Sequence, residues 1–94
     1  LGEITIGANS VVSQKCYLCT GSHDFMSPHF DITASPVVIG EKCWLATDVF
    51  VAPGVSVGDG TVVGARSSVF KSLPANKICR GNPAVVIRER VETD

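Results

Sequence analysis

The sequence predicts an all-β fold in which one chain coils on itself through short strands, and two observations carry that reading. The aliphatic residues Ile39, Leu45, Val51, Val57, Val63 and Val69 recur at every sixth position, and Ile6, Val12 and Leu18 keep the same interval. That period matches neither the roughly 3.6 residues of a helical turn nor the alternation of a flat strand. The second observation is the company these residues keep. A small residue follows the aliphatic in eight of nine cases (Gly7, Ser13, Cys19, Gly40, Ala46, Ala52, Gly58 and Gly64, with Phe70 the exception). Four places beyond eight of the nine stands another small or β-branched residue, namely Ser10, Cys16, Ser22, Cys43, Val49, Val55, Thr61 and Ser67. One apolar knob and two small corners per hexad describe a short strand and a tight turn, repeated.

Three hexads make one triangular coil. Residues 6–23 form the first, 39–56 the second and 57–74 the third. Parallel pairing between successive coils, spaced about 4.8 Å apart, lines the inward aliphatics up in columns. Ile6 then stacks over Ile39 and Val57, Val12 over Leu45 and Val63, and Leu18 over Val51 and Val69, and these columns are the expected core. Gly54, Gly58, Gly60 and Gly64 fall at corners, where a positive φ suits glycine.

The beat breaks once. Residues 24–38, with Phe25, Met26, Pro28, His29, Phe30 and Pro36, form a protruding loop, and an excursion from a regular stack points to function. After Ser72 the repeat ends and a tail covers 73–94. Within it, Asn82 as N-cap and Pro83 at the first helical position predict a short C-terminal helix from Ala84 to Glu92. Residues 1–94 read as one domain, because separate cores need more chain. The chain opens on Leu1, already inside a repeat and without an initiator Met, so it reads as an N-terminally truncated piece of a longer protein.

A net charge of −1 leaves no basic stripe for nucleic acid and no polybasic membrane patch. The sequence contains no apolar run of about 18 residues, so no membrane span is expected. It also lacks a charged start followed by an apolar core, the pattern of a signal peptide. Cys16-Tyr17-Leu18-Cys19 is formally a C-x-x-C, yet Cys16 and Cys43 occupy the small corner position and Cys19 the small second position. There they serve as small apolar residues, reduced, which suits a cytoplasmic protein. Cys79 lies outside the hexad frame.

The outward positions before each inward aliphatic read Val11, Tyr17, Trp44, Phe50 and Val62. So much apolar surface belongs against the loop and tail or in a subunit interface, and the interface is the expectation, since a cyclic trimer suits a triangular prism. Of two histidines, His23 ends a hexad where the loop begins, and His29 lies inside the loop between Pro28 and Phe30. A lone histidine at a strand end is commonly solvated or caps a turn. Two histidines are too few for a three-histidine zinc site, so no metal is expected.

The element Cys19-Thr20-Gly21-Ser22-His23-Asp24 is followed by Pro36-Val37-Val38-Ile39-Gly40, Trp44-Leu45-Ala46, Val51-Ala52-Pro53-Gly54-Val55 and Gly81-Asn82-Pro83-Ala84. In these stretches the chain resembles the hexapeptide-repeat acyltransferases, whose fold is a single-stranded left-handed parallel β-helix. It is similar to the O-acetyltransferases assigned to colanic acid biosynthesis and to the maltose, galactoside and nodulation-factor enzymes. The resemblance implies a homotrimer that passes acetyl directly from acetyl-CoA to a hydroxyl of a sugar or polysaccharide precursor. It implies that His23 is the general base, since neutral imidazole accepts a proton and releases it after turnover. It implies that Trp44 lies beside the substrate, and that backbone near Ala46 and Ala65 meets the pantetheine arm. Lys71 and Arg88 then face the coenzyme phosphates, and Arg80 is added to them on charge alone. Asp24 does not orient His23, because adjacent strand residues point to opposite faces.

The chain departs from the resemblance in two places. The acceptor-binding carboxylate and amide groups of the sugar enzymes lie upstream of this chain, and Phe70 stands where many relatives have Thr. Three rival readings share the fold. A γ-class carbonic anhydrase needs a third histidine, a non-catalytic β-helix scaffold leaves His23 unexplained, and enzymes that acetylate antibiotics or serine differ in loop and tail.

Overall fold

Wherever the hexad places an apolar residue ahead of its inward aliphatic, the pair forms a strand. The computed structural model describes residues 2–91. The strands in chain order are β1 (Ile4–Ile6), β2 (Val11–Val12), β3 (Tyr17–Leu18), β4 (Gly21–His23), β5 (Ile32–Ala34), β6 (Val37–Ile39) and β7 (Trp44–Leu45). They continue as β8 (Phe50–Val51), β9 (Ser56–Val57), β10 (Val62–Val63), β11 (Ser68–Val69), β12 (Lys77–Gly81) and β13 (Ala84–Glu89).

Three parallel faces result. One holds β1-β6-β9, the second β2-β7-β10-β12, and the third β3-β8-β11. The registers align Ile6 with Ile39 and Val57, Val12 with Leu45 and Val63, and Leu18 with Val51 and Val69. These are the three columns expected from the hexads. Burial deepens along them: Ile6 is 47% exposed in the first coil, whereas Ile39 and Val57 are 1% and 2% exposed. Two columns run further than the hexad count allows. Leu73 bridges to Val57 and Cys79 pairs with Val63, each arriving two residues early because the last corner is shorter. Cys79 is therefore a core residue, fully buried, and that burial raises its thiol pKa.

Glycine is not the main corner residue. Asn9, Lys42 and Asn76 occupy the left-handed region at one corner, together with Gly60, and Lys15, Asp48 and Arg66 do so at the next. Corner amides bond to the coil before, as when Lys42 N donates to Ala8 O at 3.0 Å and Arg66 N to Thr47 O at 2.9 Å. Gly58 serves a different need: a Cβ there would lie 2.5 Å from the backbone nitrogen of Ala75.

The C-terminal helix expected from Ala84 to Glu92 is not formed, and no helix occurs among the described residues. Instead β13 pairs antiparallel with β12, from Gly81 opposite Ala84 to Lys77 opposite Glu89. Glu92 itself lies outside the described residues. Val85, Val86 and Ile87 are β-branched, which restricts them in a helix and suits a pleated edge. The chain reverses at Asn82 and Pro83, where the sequence suggests a helix start, and Gly81 enters the reversal at φ 110°. Beyond β13, Arg90 Nη1 donates to Lys42 O and Gly60 O, both at 2.9 Å, tying the hairpin to a corner.

The excursion is also a hairpin. β4 and β5 pair antiparallel, with Gly21 opposite Ala34 and His23 opposite Ile32. Ser35 N donates to Thr20 O at 2.9 Å and closes its base. The pairing takes in Gly21 to His23 from the first coil, while Val37 and Val38 have already rejoined the stack in β6. No helix of the described residues is long and apolar enough to cross a membrane.

Candidate active site

His23 closes β4 at the point where the hairpin leaves the stack. An open pocket of about 350 Å³ lies there, lined by Tyr17, Leu18, Thr20, Ser22, His23 and Ile32, among others. The pocket thus combines a rigid wall from the stacked β3 with a wall from the hairpin. His23 Nδ1 lies 2.9 Å from the carbonyl oxygen of Phe30. A carbonyl only accepts, so Nδ1 carries the hydrogen and donates it. In the neutral ring this leaves Nε2 with the lone pair. Nε2 makes no hydrogen bond among the described residues.

The loop that supplies this carbonyl is internally braced. Phe30 sits at φ 50°, in the left-handed region. Its own N–H donates to Ser27 O at 3.1 Å, and Asp24 N donates to Asp31 O at 2.8 Å. Ser27 Oγ donates to Asp31 Oδ2 at 2.9 Å. Asp24 turns its carboxylate away, accepting the Met26 N–H at 2.9 Å. His29 joins the loop through its backbone only, donating to Ser27 Oγ at 3.4 Å.

The other candidates lie on different parts of the prism. Trp44 is half exposed on β7, and its Nε1 donates to Ser13 Oγ at 3.2 Å. It belongs to an outward row, since Trp44 pairs with Val62, Val62 with Ile78, and Ile78 with Arg88. Ala46 follows directly; its N–H donates to Val63 O at 3.0 Å, and its carbonyl accepts the Cys16 thiol at 3.0 Å. Ala65 is exposed in the turn between β10 and β11, and Lys71 is exposed just past β11. Arg80 and Arg88 are exposed on the C-terminal hairpin. None of Trp44, Ala46, Ala65, Lys71 or Arg88 lines the His23 pocket, so one chain keeps the histidine apart from them.

Two contributors were not readable from the residues. The Phe30 carbonyl is backbone, and no side chain announces its direction. Tyr17 was visible only as one outward aromatic among several. Among the described residues no group of three His, Cys, Asp or Glu is placed to hold a metal ion.

Stacked hexads bearing a histidine on a protruding hairpin define a class. The family described as "Bacterial transferase hexapeptide (six repeats)" matches residues 36–71, and the chain belongs to the hexapeptide-repeat acetyltransferase family. It is 84% identical over 94 residues to WcaF of Escherichia coli K12, a protein assigned to colanic acid biosynthesis as an acetyltransferase, covering 100% of this chain and 52% of that protein. Among solved structures it resembles a maltose O-acetyltransferase from Clostridium difficile 630, with TM-score 0.88 and 33% identity over 95% of this chain and 49% of the other. It also resembles a hexapeptide-repeat acetyltransferase of Vibrio cholerae O1 biovar eltor complexed with acetyl coenzyme A, with TM-score 0.88 and 27% identity over 95% and 50%. The chain spans about half the length of these relatives.

Proposed function

We propose that this chain carries the catalytic histidine of an acetyl-CoA-dependent O-acetyltransferase acting on a sugar hydroxyl, with His23 as general base. The observation that carries the reading is the Nδ1–H bond to Phe30 O, which leaves Nε2 as the basic nitrogen in an open pocket. A general base needs that tautomer and that access. The hydroxyl gives its proton to Nε2 as its oxygen attacks the thioester carbonyl. The new C–O bond forms, the C–S bond breaks, and the coenzyme A sulfur leaves with the proton from the imidazolium. The 84% identity to a protein assigned to colanic acid biosynthesis favours a precursor of that polysaccharide as acceptor.

The remaining roles follow from the separation of the sites. With His23 on one part of the prism and Ala46, Ala65, Lys71 and Arg88 elsewhere, a complete site forms where two copies meet. The pantetheine arm runs past Ala46 and Ala65, the phosphates face Lys71 and Arg88, and Trp44 stands beside the substrate. The arrangement is a left-handed, single-stranded helix in a homotrimer, with Trp44, Phe50 and Val62 at the interface. The protein is expected to sediment as a trimer at micromolar concentration. A monomer there overturns the shared site. The reaction is cytoplasmic, where acetyl-CoA and reduced thiols such as Cys16, Cys19, Cys43 and Cys79 are found together.

The reading is tested by following release of the coenzyme A thiol from acetyl-CoA in the presence of maltose, methyl β-galactoside and oligosaccharide precursors. Sugar-dependent release with acetyl ester on the sugar is the expected result. Thiol release that no saccharide accelerates overturns it.

A further inference from the structure

Beside the histidine lies an aromatic row that takes no part in the proton transfer. Tyr17 lines the same pocket as His23 and is 63% exposed. Its ring meets Phe50 at 5.7 Å between centroids, with the planes at 85°. Phe50 in turn lies against Phe70 at 5.8 Å. An edge-to-face contact covers at most one face of a ring, so Tyr17 is braced from one side and keeps a face bare. Its phenol is held above its ordinary pKa, chiefly by the Cys19 side chain.

Ser22 lines the same pocket and adds an exposed hydroxyl near that ring, while Thr20 is buried with its Oγ1 accepting the Gly2 N–H at 3.0 Å. A pyranose has a complementary build: a flat C–H face rimmed by hydroxyls, which matches an aromatic face bordered by polar groups. A pantetheine arm, flexible and without a flat face, gains less from such a surface. We propose that Tyr17 is the platform on which the acceptor's pyranose ring lies, presenting one of its hydroxyls to Nε2 of His23. The proposal rests on the sugar-transfer reading above and adds the residue that selects a ring-shaped acceptor.

The test is binding of maltose, methyl β-glucopyranoside and the acyclic polyol sorbitol to the purified protein, followed by ligand-observed NMR. Wild type and Tyr17→Phe are expected to bind the two pyranosides equally well. Tyr17→Ala and Tyr17→Leu are expected to bind them about three- to ten-fold more weakly, the size of a lost aromatic contact. Sorbitol binding is expected to be indifferent to all three changes. The leucine variant keeps apolar bulk over Phe50, and an unchanged melting temperature shows that the fold is intact. In turnover the loss is expected in KM, with kcat near wild type at saturating sugar. Pyranoside affinity unchanged in Tyr17→Leu overturns the proposal, as does a wild type that binds neither pyranoside. Sugar binding that needs Tyr17 without acetyl transfer keeps the platform and removes the transfer reading. Transfer that ignores Tyr17 does the reverse.

Discussion

Replacing His23 with alanine is expected to lower kcat by about 10²–10⁴-fold, the usual contribution of a positioned general base. Acetyl-CoA affinity, sedimentation and melting temperature are expected to stay at wild-type values. The expectation of intact folding comes from position: His23 is exposed at the end of β4, and removing it opens no core cavity. The loss is therefore chemical. Steady-state kinetics with a sugar that wild type acetylates checks this. A variant with near-normal kcat ends the assignment, and the scaffold reading then gains ground.

The second large effect is on stability. Leu45 is fully buried at the centre of its column, between Val12 and Val63. Leu45→Ala is expected to cost about 2–5 kcal/mol, the loss of transfer energy plus the cavity left in a stack that relaxes poorly. In a chain of this size that lowers the melting temperature by roughly 10 °C or more. Ile6→Ala provides the comparison. Ile6 heads a neighbouring column at 47% exposure, so its truncation is expected to cost well under half as much. Calorimetry at one protein concentration makes the comparison, since assembly couples stability to concentration. Equal losses at the two positions would mean that the columns are not the core.

The contrast between Leu45 and Cys79 shows where reading the residues stops. Leu45 belongs to an unbroken hexad run, so its inward direction follows from counting. Cys79 is as deeply buried, but the shortened corner before Leu73 shifts it off the count, and only the pairing with Val63 reveals it. The C-terminal hairpin was not legible for a related reason. Asn82-Pro83 suits a helix start locally, while β12 offered an open edge that the β-branched run could pair with, and that edge exists only once the stack is built. Likewise Lys42, Asp48, Arg66 and Asn76 take positive φ at corners where their amides bond to the coil before.

In the candidate site the same division applies. The position of His23 at the mouth of the excursion was legible, because the hexad beat stops at that residue. The Phe30 contact that sets its tautomer was not, because it joins a ring nitrogen to a backbone oxygen across a hairpin turn. What the sequence determined by itself is everything periodic: strands, columns, the break at the loop, and the outward apolar rows. Those depend on short-range alternation between knob and corner, which each hexad repeats independently. The tertiary structure alone decided the direction of carbonyls and the pairing of the tail, together with the grouping of Tyr17, His23 and Ile32 around one pocket. Such features arise from backbone torsions and from edges offered by neighbouring strands, and no single stretch of residues encodes them.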